Sequence, residues 1–415
     1  MSEPNLSHDV VIVGAGAAGL ATAASLLKRI PDLDLLLVDP AKEHFYQPGW
    51  TLVGAGVFSQ ATTRRETAAL IPRGAKWLPA AVTGFEPEHN RLQIAGHGRV
   101  SYRQLVVCPG LKLDWAAIHG LPSTLGQNGV TSNYRYDLAP YTWELTRALK
   151  QGLALFTQPG MPIKCAGAPQ KALYLACDHW RRENRLGAVK AEFLTANPGL
   201  FGVPAYVPAL RRYIDRYEVD LCLRHRLVAV DGPSRQALFE VTDEEGQTRQ
   251  QERRFDMLHV VPPQCAPDVL RQSLLADAAG WLDVDPQSLR HRRYGNVHGL
   301  GDAIGTSNAK TVAAARKQAP VVAHNVAAAL GEAQGLASYD GYGACPLTVE
   351  RGRIVLAEFG YGGTLAPSFP QWLIKGTEPS RLAWWLKAKA LPWLYWHGML
   401  KGHEWLARPT TADSA

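Results

Sequence analysis

The feature that most constrains this chain is a glycine-rich turn near its N-terminus. The segment VVIVGAGAAGLATAASLL predicts a buried strand, a tight turn and a helix, and Gly14, Gly16 and Gly19 have Gly-x-Gly-x-x-Gly spacing. In this pattern the first glycine permits the turn, the second lets the backbone approach a pyrophosphate, and the third lets the helix pack on a sheet. A unit of this kind predicts an α/β fold built on parallel strands.

The same unit supplies two further groups that suit a dinucleotide. The N-terminus of the predicted helix offers free N–H groups and the positive end of the helix dipole to phosphate. The next strand, LDLLLVD, ends in Asp39, 20 residues after Gly19, where a carboxylate can bind ribose hydroxyls. The sequence therefore predicts a dinucleotide site, which FAD or NAD would occupy.

Three later segments favour FAD over NAD. YRQLVVCPG, which ends at Gly110, and NVHGLGDAIG, which contains Asp302, are similar to the second and third signatures of flavoproteins. In the third signature the Asp at the strand end reaches the ribityl chain or the phosphates. A helical run from about residue 309 to 330 follows, and its N-terminus would stabilise negative charge on a reduced flavin.

A second strand and helix, GLALFTQP and ALYLACDHWRRENR, repeat the unit from about residue 150, but the turn between them differs. That turn, GMPIKCAGAPQK, lacks the glycine spacing that the pyrophosphate of NAD requires, and the following strand ends at Asn197 instead of an acid. The usual NAD(P)H site is therefore predicted to be absent from a second Rossmann-like domain.

Cys165 lies within the altered turn. Pro169 is a suitable first residue for the helix that follows, and Lys164 and Lys171 are close in sequence. A cysteine near a helix N-terminus and near cations is expected to have a lowered pKa, so Cys165 is a candidate nucleophile.

Composition and the N-terminal residues exclude several other classes. The net charge is +7, but residues of both signs are spread along the chain, which argues against a nucleic-acid partner. Six scattered cysteines without zinc spacing predict no disulfide scaffold and no metal site. The uncharged segment from Val10 to Leu27 is interrupted by glycines and preceded by Glu3 and Asp9, so we expect no signal peptide, transit peptide or membrane span.

The C-terminal residues are rich in tryptophan, since six of the 12 Trp lie in the last 44 positions. SRLAWWLKAKA and PWLYWHGMLKGHEW predict two short helices divided at Pro392, each too short to cross a bilayer. Aromatic residues mixed with Lys387, Lys389 and Lys401 are typical of an amphipathic helical tail in a membrane interface. A dimer contact or a cap on the first domain is the alternative.

Four regions together resemble one family. They are HFYQPGWTLVGAG (44–56), PIKCAGAPQK (162–171), MLHVVPPQCAPDVL (257–270) with ADAAGWLDVD (276–285), and YDGYGACPLTVERGRIVLAEF (339–359). They are similar to the sulfide:quinone oxidoreductases, in particular to the branch with the mitochondrial enzymes, from about residue 9 to about 405. The resemblance implies a noncovalent FAD, oxidation of sulfide, and electron transfer to membrane quinone.

The resemblance also assigns roles to residues. It implies that Cys165 and Cys345, 180 residues apart, form a redox pair that cycles through a disulfide or trisulfide. Hydrosulfide would attack this bridge, Cys345 would keep the sulfur as a persulfide, and Cys165 would be released as the thiolate that reacts with the flavin. An acceptor (sulfite, a thiol, cyanide or polysulfide) would then remove the sulfur. Contacts with FAD are implied for Ala17, Ala18, Asp39, Gln47, Val82, Asp302, Lys310 and Thr311.

The expected architecture has two dinucleotide-binding domains and a tail. Residues 1–115 and 290–345 are predicted to form a split FAD domain, residues 116–289 the second Rossmann-like domain, and residues 346–415 a membrane-associating region. Because no leader is recognised, we expect a peripheral protein at the cytoplasmic face of a bacterial inner membrane. The oligomeric state, including a homo-oligomer, is left open. A type II NADH:quinone dehydrogenase-like flavoprotein and a noncatalytic flavin-bearing redox sensor are the alternatives.

Overall fold

The computed structural model describes residues 6–411. Its strands, in chain order, are β1 (Leu6–Val13), β2 (Leu35–Val38), β3 (Glu43–Phe45), β4 (Arg64–Glu66), β5 (Lys76–Leu78), β6 (Val82–Glu86), β7 (Arg91–Ile94), β8 (Gly98–Val107), β9 (Lys112–Leu113), β10 (Val130–Thr131), β11 (Gly152–Gln158), β12 (Val189–Thr195), β13 (Asp220–Cys222), β14 (His225–Asp231), β15 (Gln236–Thr242), β16 (Thr248–Arg254), β17 (Met257–His259), β18 (Gln264–Cys265), β19 (Val297–Gly299), β20 (Ala337–Ser338), β21 (Gly343–Glu350), β22 (Arg353–Phe359) and β23 (Thr410–Thr411). The α-helices are α1 (Ala17–Arg29), α2 (Trp50–Val53), α3 (Leu121–Thr124), α4 (Ala139–Ala148), α5 (Ala168–Arg182), α6 (Val207–Arg216), α7 (Asp268–Arg271), α8 (Val312–Ala329), α9 (Arg381–Trp385) and α10 (Leu391–His397).

The first sheet positions the glycine turn. Its strand order is β5-β2-β1-β8-β7-β6, and β19 pairs with the second half of β8. Strands β5, β2, β1, β8 and β19 are parallel, whereas β6 and β7 are antiparallel. All four residues of β2 are buried, as expected for a continuous apolar strand covered on both faces. The turn follows β1 at its carboxyl end, and α1 then packs against α8.

The second sheet is entirely parallel, with the order β10-β17-β11-β12-β13. The connection between β11 and α5 carries Cys165. A separate antiparallel sheet contains β14, β15 and β16. After β17 the chain returns to the first core, where Leu270, Leu275 and Leu289 are buried. The division into domains at residues 115, 289 and 345 stays a prediction.

The hairpin of β21 and β22 packs against α5 and carries Cys345. Helices α9 and α10 follow, joined by a π-helical turn at Leu386–Ala390. The predicted break at Pro392 is not observed there, because this proline occupies the first turn of α10, where its missing N–H is not needed.

The C-terminal segment, defined here as residues 372–408, divides its aromatic side chains between the core and the surface. Tyr395 and Trp396 are buried in the first core, and the Tyr395 hydroxyl lies 2.6 Å from Nε2 of His44. Trp372 is 84% exposed and Trp393 is 57% exposed. Within residues 6–411 no helix combines the length and the apolar character that crossing a bilayer requires. Part of the segment is thus a cap on the first core, and part is an exposed aromatic surface.

Candidate active site

The three glycines of the turn have different surroundings: two are tightly packed and one borders open space. Gly14 has φ +106°, and a Cβ there would lie 2.4 Å from the carbonyl oxygen of Cys108. A Cβ on Gly19 would lie 1.8 Å from the carbonyl oxygen of Gly14. A Cβ on Gly16, in contrast, would have no atom of the described residues within 4 Å. The fold itself therefore requires two of the three glycines, while the space beside Gly16 is free for a ligand to approach the backbone.

The groups around this turn fit a dinucleotide phosphate and ribose. Gly16 is the N-cap residue of α1 and supplies no capping side chain, so the N–H groups of Ala17 and Ala18 remain at an uncapped helix start. Asp39 follows β2, and its carboxylate accepts hydrogen bonds from the backbone N–H of Ala15 at 2.6 Å and of Ala41 at 2.7 Å.

The two other residues predicted for this end of the cofactor lie on the same sheet. Val82 begins β6 and is half-buried. Gly110 follows β8 with φ +75°, and a Cβ on it would meet no atom within 4 Å.

The structure brings Cys165 and Cys345 together, with their sulfur atoms 3.6 Å apart. Cys165 lies three residues before α5 and is half-buried, whereas Cys345 is buried within β21. Both are free thiols in this structure. This separation is close enough for a small movement to allow a disulfide, so the pair meets the spatial requirement for thiol–disulfide chemistry.

The backbone of Cys165 is held in an uncommon conformation. Its φ is +47°, in the left-handed region that residues other than glycine rarely adopt. Its N–H donates to the carbonyl oxygen of Lys310 at 2.8 Å, and the Tyr134 hydroxyl donates to the carbonyl oxygens of Lys164 at 3.0 Å and Cys165 at 3.3 Å. Such over-determined backbone strain is characteristic of functional sites.

Lys171 supplies the charge that distinguishes the two thiols. Its Nζ, on buried helix α5, donates to Sγ of Cys165 at 3.0 Å. The hydrogen bond from Cys345, together with the Lys171 ammonium, holds the pKa of Cys165 well below its usual value despite burial. Cys345 donates this hydrogen bond and is buried, and both effects raise the pKa of Cys345 well above its usual value. Of the two thiols, Cys165 is therefore the one whose pKa shift favours the thiolate, and its role as nucleophile stays a prediction.

The loop before α8 forms a second wall beside the sulfur pair. Lys310 Nζ donates to the carbonyl oxygens of Asp302 at 2.9 Å and Ile304 at 2.7 Å, and lies 4.0 Å from the ring centre of Trp281. Burial lowers the pKa of Lys310 to about 8 and raises the pKa of Asp302. Thr311 caps α8 by accepting a hydrogen bond from the N–H of Ala314.

A cavity of about 280 Å³, partly open to solvent, joins these walls. It gathers predicted residues from three parts of the chain: Gln47, Cys165, and the loop with Asp302, Lys310 and Thr311. Lys164 also lines the cavity, and its Nζ donates to Oε1 of Gln47 at 2.7 Å. Asn133 also lines the cavity, and its buried side-chain amide has no hydrogen-bond partner among residues 6–411. An unpartnered amide in the wall fits a polar ligand such as a flavin ring.

Among the residues of this cavity that sequence reasoning missed, Tyr134 and Lys387 lie beside the sulfur pair. Tyr134 had no distinguishing pattern. Lys387 was assigned to a membrane interface, but it is buried and lines the cavity. A signal for its position exists, because Ala383, Lys387, Leu391 and Leu394 are spaced to share one helix face that is otherwise apolar.

The parallel sheets, the glycine turn and the two nearby cysteine sulfurs are together features of the flavin-dependent oxidoreductases. The chain is 36% identical to the mitochondrial sulfide:quinone oxidoreductase of Mus musculus over 396 residues, 95% of this chain and 87% of the mouse protein. It is 39% identical to that of Dictyostelium discoideum over 407 residues, 97% of this chain and 87% of the relative. The chain therefore belongs to the sulfide:quinone oxidoreductase family.

A solved structure and a scan of family models complete the comparison. The sulfide:quinone oxidoreductase of Aquifex aeolicus superposes with a TM-score of 0.78 over 97% of this chain and 96% of that one, at 17% identity. This likeness confirms the predicted α/β fold with parallel sheets. No protein-family model matches the chain.

The predicted location at a bacterial inner membrane is wrong. The two relatives named above are mitochondrial proteins, and this similarity points to mitochondria instead. The prediction rested on the residues before β1. A targeting segment is read by a receptor and then removed, so those residues could not decide the compartment.

Proposed function

We propose that this protein oxidises hydrosulfide to a protein-bound persulfide and passes the electrons through FAD to quinone. The observation that carries the proposal is the sulfur pair of Cys165 and Cys345, 3.6 Å apart at a cavity whose walls suit a flavin. Membership of the sulfide:quinone oxidoreductase family supports the substrates and the flavin.

The sulfur step uses the different character of the two thiols. In the oxidised pair, hydrosulfide attacks the Cys345 sulfur and forms a new S–S bond. The bond between Cys345 and Cys165 breaks, and Cys165 leaves with the electron pair as a thiolate. The Lys171 ammonium, 3.0 Å from Cys165, stabilises this leaving thiolate. A sulfur acceptor (sulfite, a thiol or polysulfide) then takes the outer sulfur of the persulfide and leaves Cys345 as a thiolate. Oxidation of the Cys165 and Cys345 thiolates back to the S–S bridge releases the two electrons that bound FAD would accept.

The cofactor would lie between the glycine turn and this sulfur pair. Gly14, Gly16, Ala17, Ala18 and Gly19 would hold its pyrophosphate, and Asp39 its ribose. Val82 and Gly110 would line the path of the dinucleotide. The flavin end would be held by Gln47, Asp302, Lys310 and Thr311. Bound FAD supplies the capacity to accept two electrons and return them to quinone.

Quinone is dissolved in the membrane, so a protein that reduces it gains access to it by binding the membrane surface. We assign this binding to the exposed aromatic part of the C-terminal segment. Trp372 and Trp385 are both exposed there. We expect the double variant Trp372→Ser with Trp385→Ser to lose about tenfold in binding to anionic phospholipid vesicles, because apolar burial drives interfacial binding. Vesicle co-sedimentation measures this. Leu274→Ser is the control, since Leu274 lies outside the segment and is about as exposed as Trp385. Equal binding by the original protein and both variants would refute the assignment.

The choice between sulfide and NADH as electron donor is tested by anaerobic flavin absorbance. We expect sulfide to bleach the flavin, a soluble quinone to restore it, and NADH to have no rapid effect. The second unit supports this, because its turn lacks the glycine spacing and Asn197 donates its amide to the carbonyl oxygen of Pro159 at 3.1 Å. Bleaching by NADH alone would move the protein to the type II dehydrogenase class. Reduction by neither donor would favour the redox-sensor alternative.

A further inference from the structure

Lys387 is a buried lysine of the C-terminal segment. It lies in the π-helical turn of the C-terminal segment, is 4% exposed, and donates to the carbonyl oxygen of Pro48 at 3.2 Å. Among residues 6–411 no carboxylate forms an ion pair with it. Lys389, two residues later in the same turn, is exposed. Burying a charge without a counter-ion costs several kcal/mol, so an anion is expected nearby.

Of the acidic groups that line this cavity, Cys165 interacts electrostatically with Lys387, whereas Asp302 and Glu358 do not. Lys387 and Cys165 line the same cavity, and Lys171 reaches Cys165 from helix α5. The charge of Lys387 helps to lower the pKa of Cys165. Burial and the neighbouring Lys171 charge together lower the pKa of Lys387 to about 7, while the two thiols oppose that shift. The titratable groups that face Cys165 are Tyr134, Lys164, Lys171, Asp302, Cys345 and Lys387.

We propose that Lys387 is a positioning residue of the sulfur reaction: its ammonium, delivered by the C-terminal segment, is a second counter-ion for the Cys165 thiolate. The role in the sulfur reaction rests on the proposed function. The effect of the Lys387 charge on the pKa of Cys165, however, exists in the protein without sulfide or quinone. Lys387 exchanges no proton in the sulfur step and acts only through the thiolate. The reactivity of the sulfur pair therefore depends on how the C-terminal segment packs against the cavity, and this segment also carries the exposed tryptophans.

The test is the pH profile of alkylation in the full-length, flavin-loaded protein. After anaerobic reduction, iodoacetamide is added at a series of pH values, and the peptide that contains Cys165 is quantified by mass spectrometry. Removing a positive charge near a thiolate raises its pKa. We expect the midpoint for Lys387→Met to lie about one pH unit higher, which is about tenfold less thiolate below that midpoint. Lys387→Arg, which keeps the charge, is expected to retain the original profile.

Lys389→Met is the matched control, since it removes an exposed charge from the same turn. An unchanged midpoint in Lys387→Met, or an equal shift in Lys389→Met, would overturn the proposal. If Lys387→Met does not retain flavin, Lys387→Gln is judged by the same criterion. This measurement separates the two proposals. If the alkylation midpoint shifts in Lys387→Met but sulfide does not bleach the flavin of the original protein, the sulfide reaction is rejected and the counter-ion role of Lys387 stands.

Discussion

Replacement of either Cys165 or Cys345 by serine is expected to abolish flavin reduction by sulfide, with a rate at least about a thousandfold lower. Each sulfur has a separate task in the proposed step, since one receives the incoming sulfur and the other leaves as thiolate. A hydroxyl can do neither, because it forms no bridge that hydrosulfide could open. Anaerobic stopped-flow absorbance of the flavin measures the rate of bleaching after sulfide is added.

The control for both variants is Cys222→Ser, at the end of β13 and outside the cavity. We expect it to react with sulfide at the original rate. If Cys345→Ser kept more than about a tenth of that rate, the sulfur pair would not be the redox centre. Flavin content and circular dichroism must be unchanged in the serine variants, since Cys345 also packs within a buried strand.

Two substitutions in the glycine turn should fail in different ways. In Gly19→Ala the new Cβ lies 1.8 Å from the carbonyl oxygen of Gly14, so α1 must move away from the turn. We expect the free energy of unfolding to fall by about 3 kcal/mol or more, with loss of the flavin. In Gly16→Ala the methyl group meets no protein atom within 4 Å and the backbone is already extended, so the fold should change by less than about 0.5 kcal/mol.

The second variant is the sharper test of the cofactor site. If a pyrophosphate approaches the backbone at Gly16, a methyl group there should weaken FAD binding at least about tenfold while leaving the unfolding curve almost unchanged. Urea unfolding reports the stability, and quenching of flavin fluorescence reports the affinity. Unchanged FAD affinity in Gly16→Ala would place the cofactor elsewhere.

How far the sequence predicts this molecule depends on the range of the interactions involved. The glycine turn and the helix near residues 309–330, observed as α8, follow from contacts within a few tens of residues. The α/β class follows from the same local units. Local patterns report such elements because turn conformation and helix packing are decided by neighbouring residues.

The assembly of the site depends on contacts that local patterns do not report. Cys345 reaches Cys165 only because the hairpin of β21 and β22 packs on α5, across 180 residues of sequence. The resemblance paired these residues, whereas spacing alone did not. Lys387 was placed wrongly. The composition of its segment indicated a surface residue, but the helix face that it shares with Ala383 and Leu391 lines the cavity.

The seven-stranded sheet also has a consequence for the order in which a ribosome can complete this protein. One edge of β8 receives β19 only after residue 299 has been synthesised, and α1 receives its partner α8 only after residue 329. Until then the nascent chain carries an apolar strand edge and an uncovered helix, both of which invite aggregation. Such distant pairings slow folding as well. Maturation is therefore expected to be late, chaperone-dependent and sensitive to truncation well beyond the glycine turn.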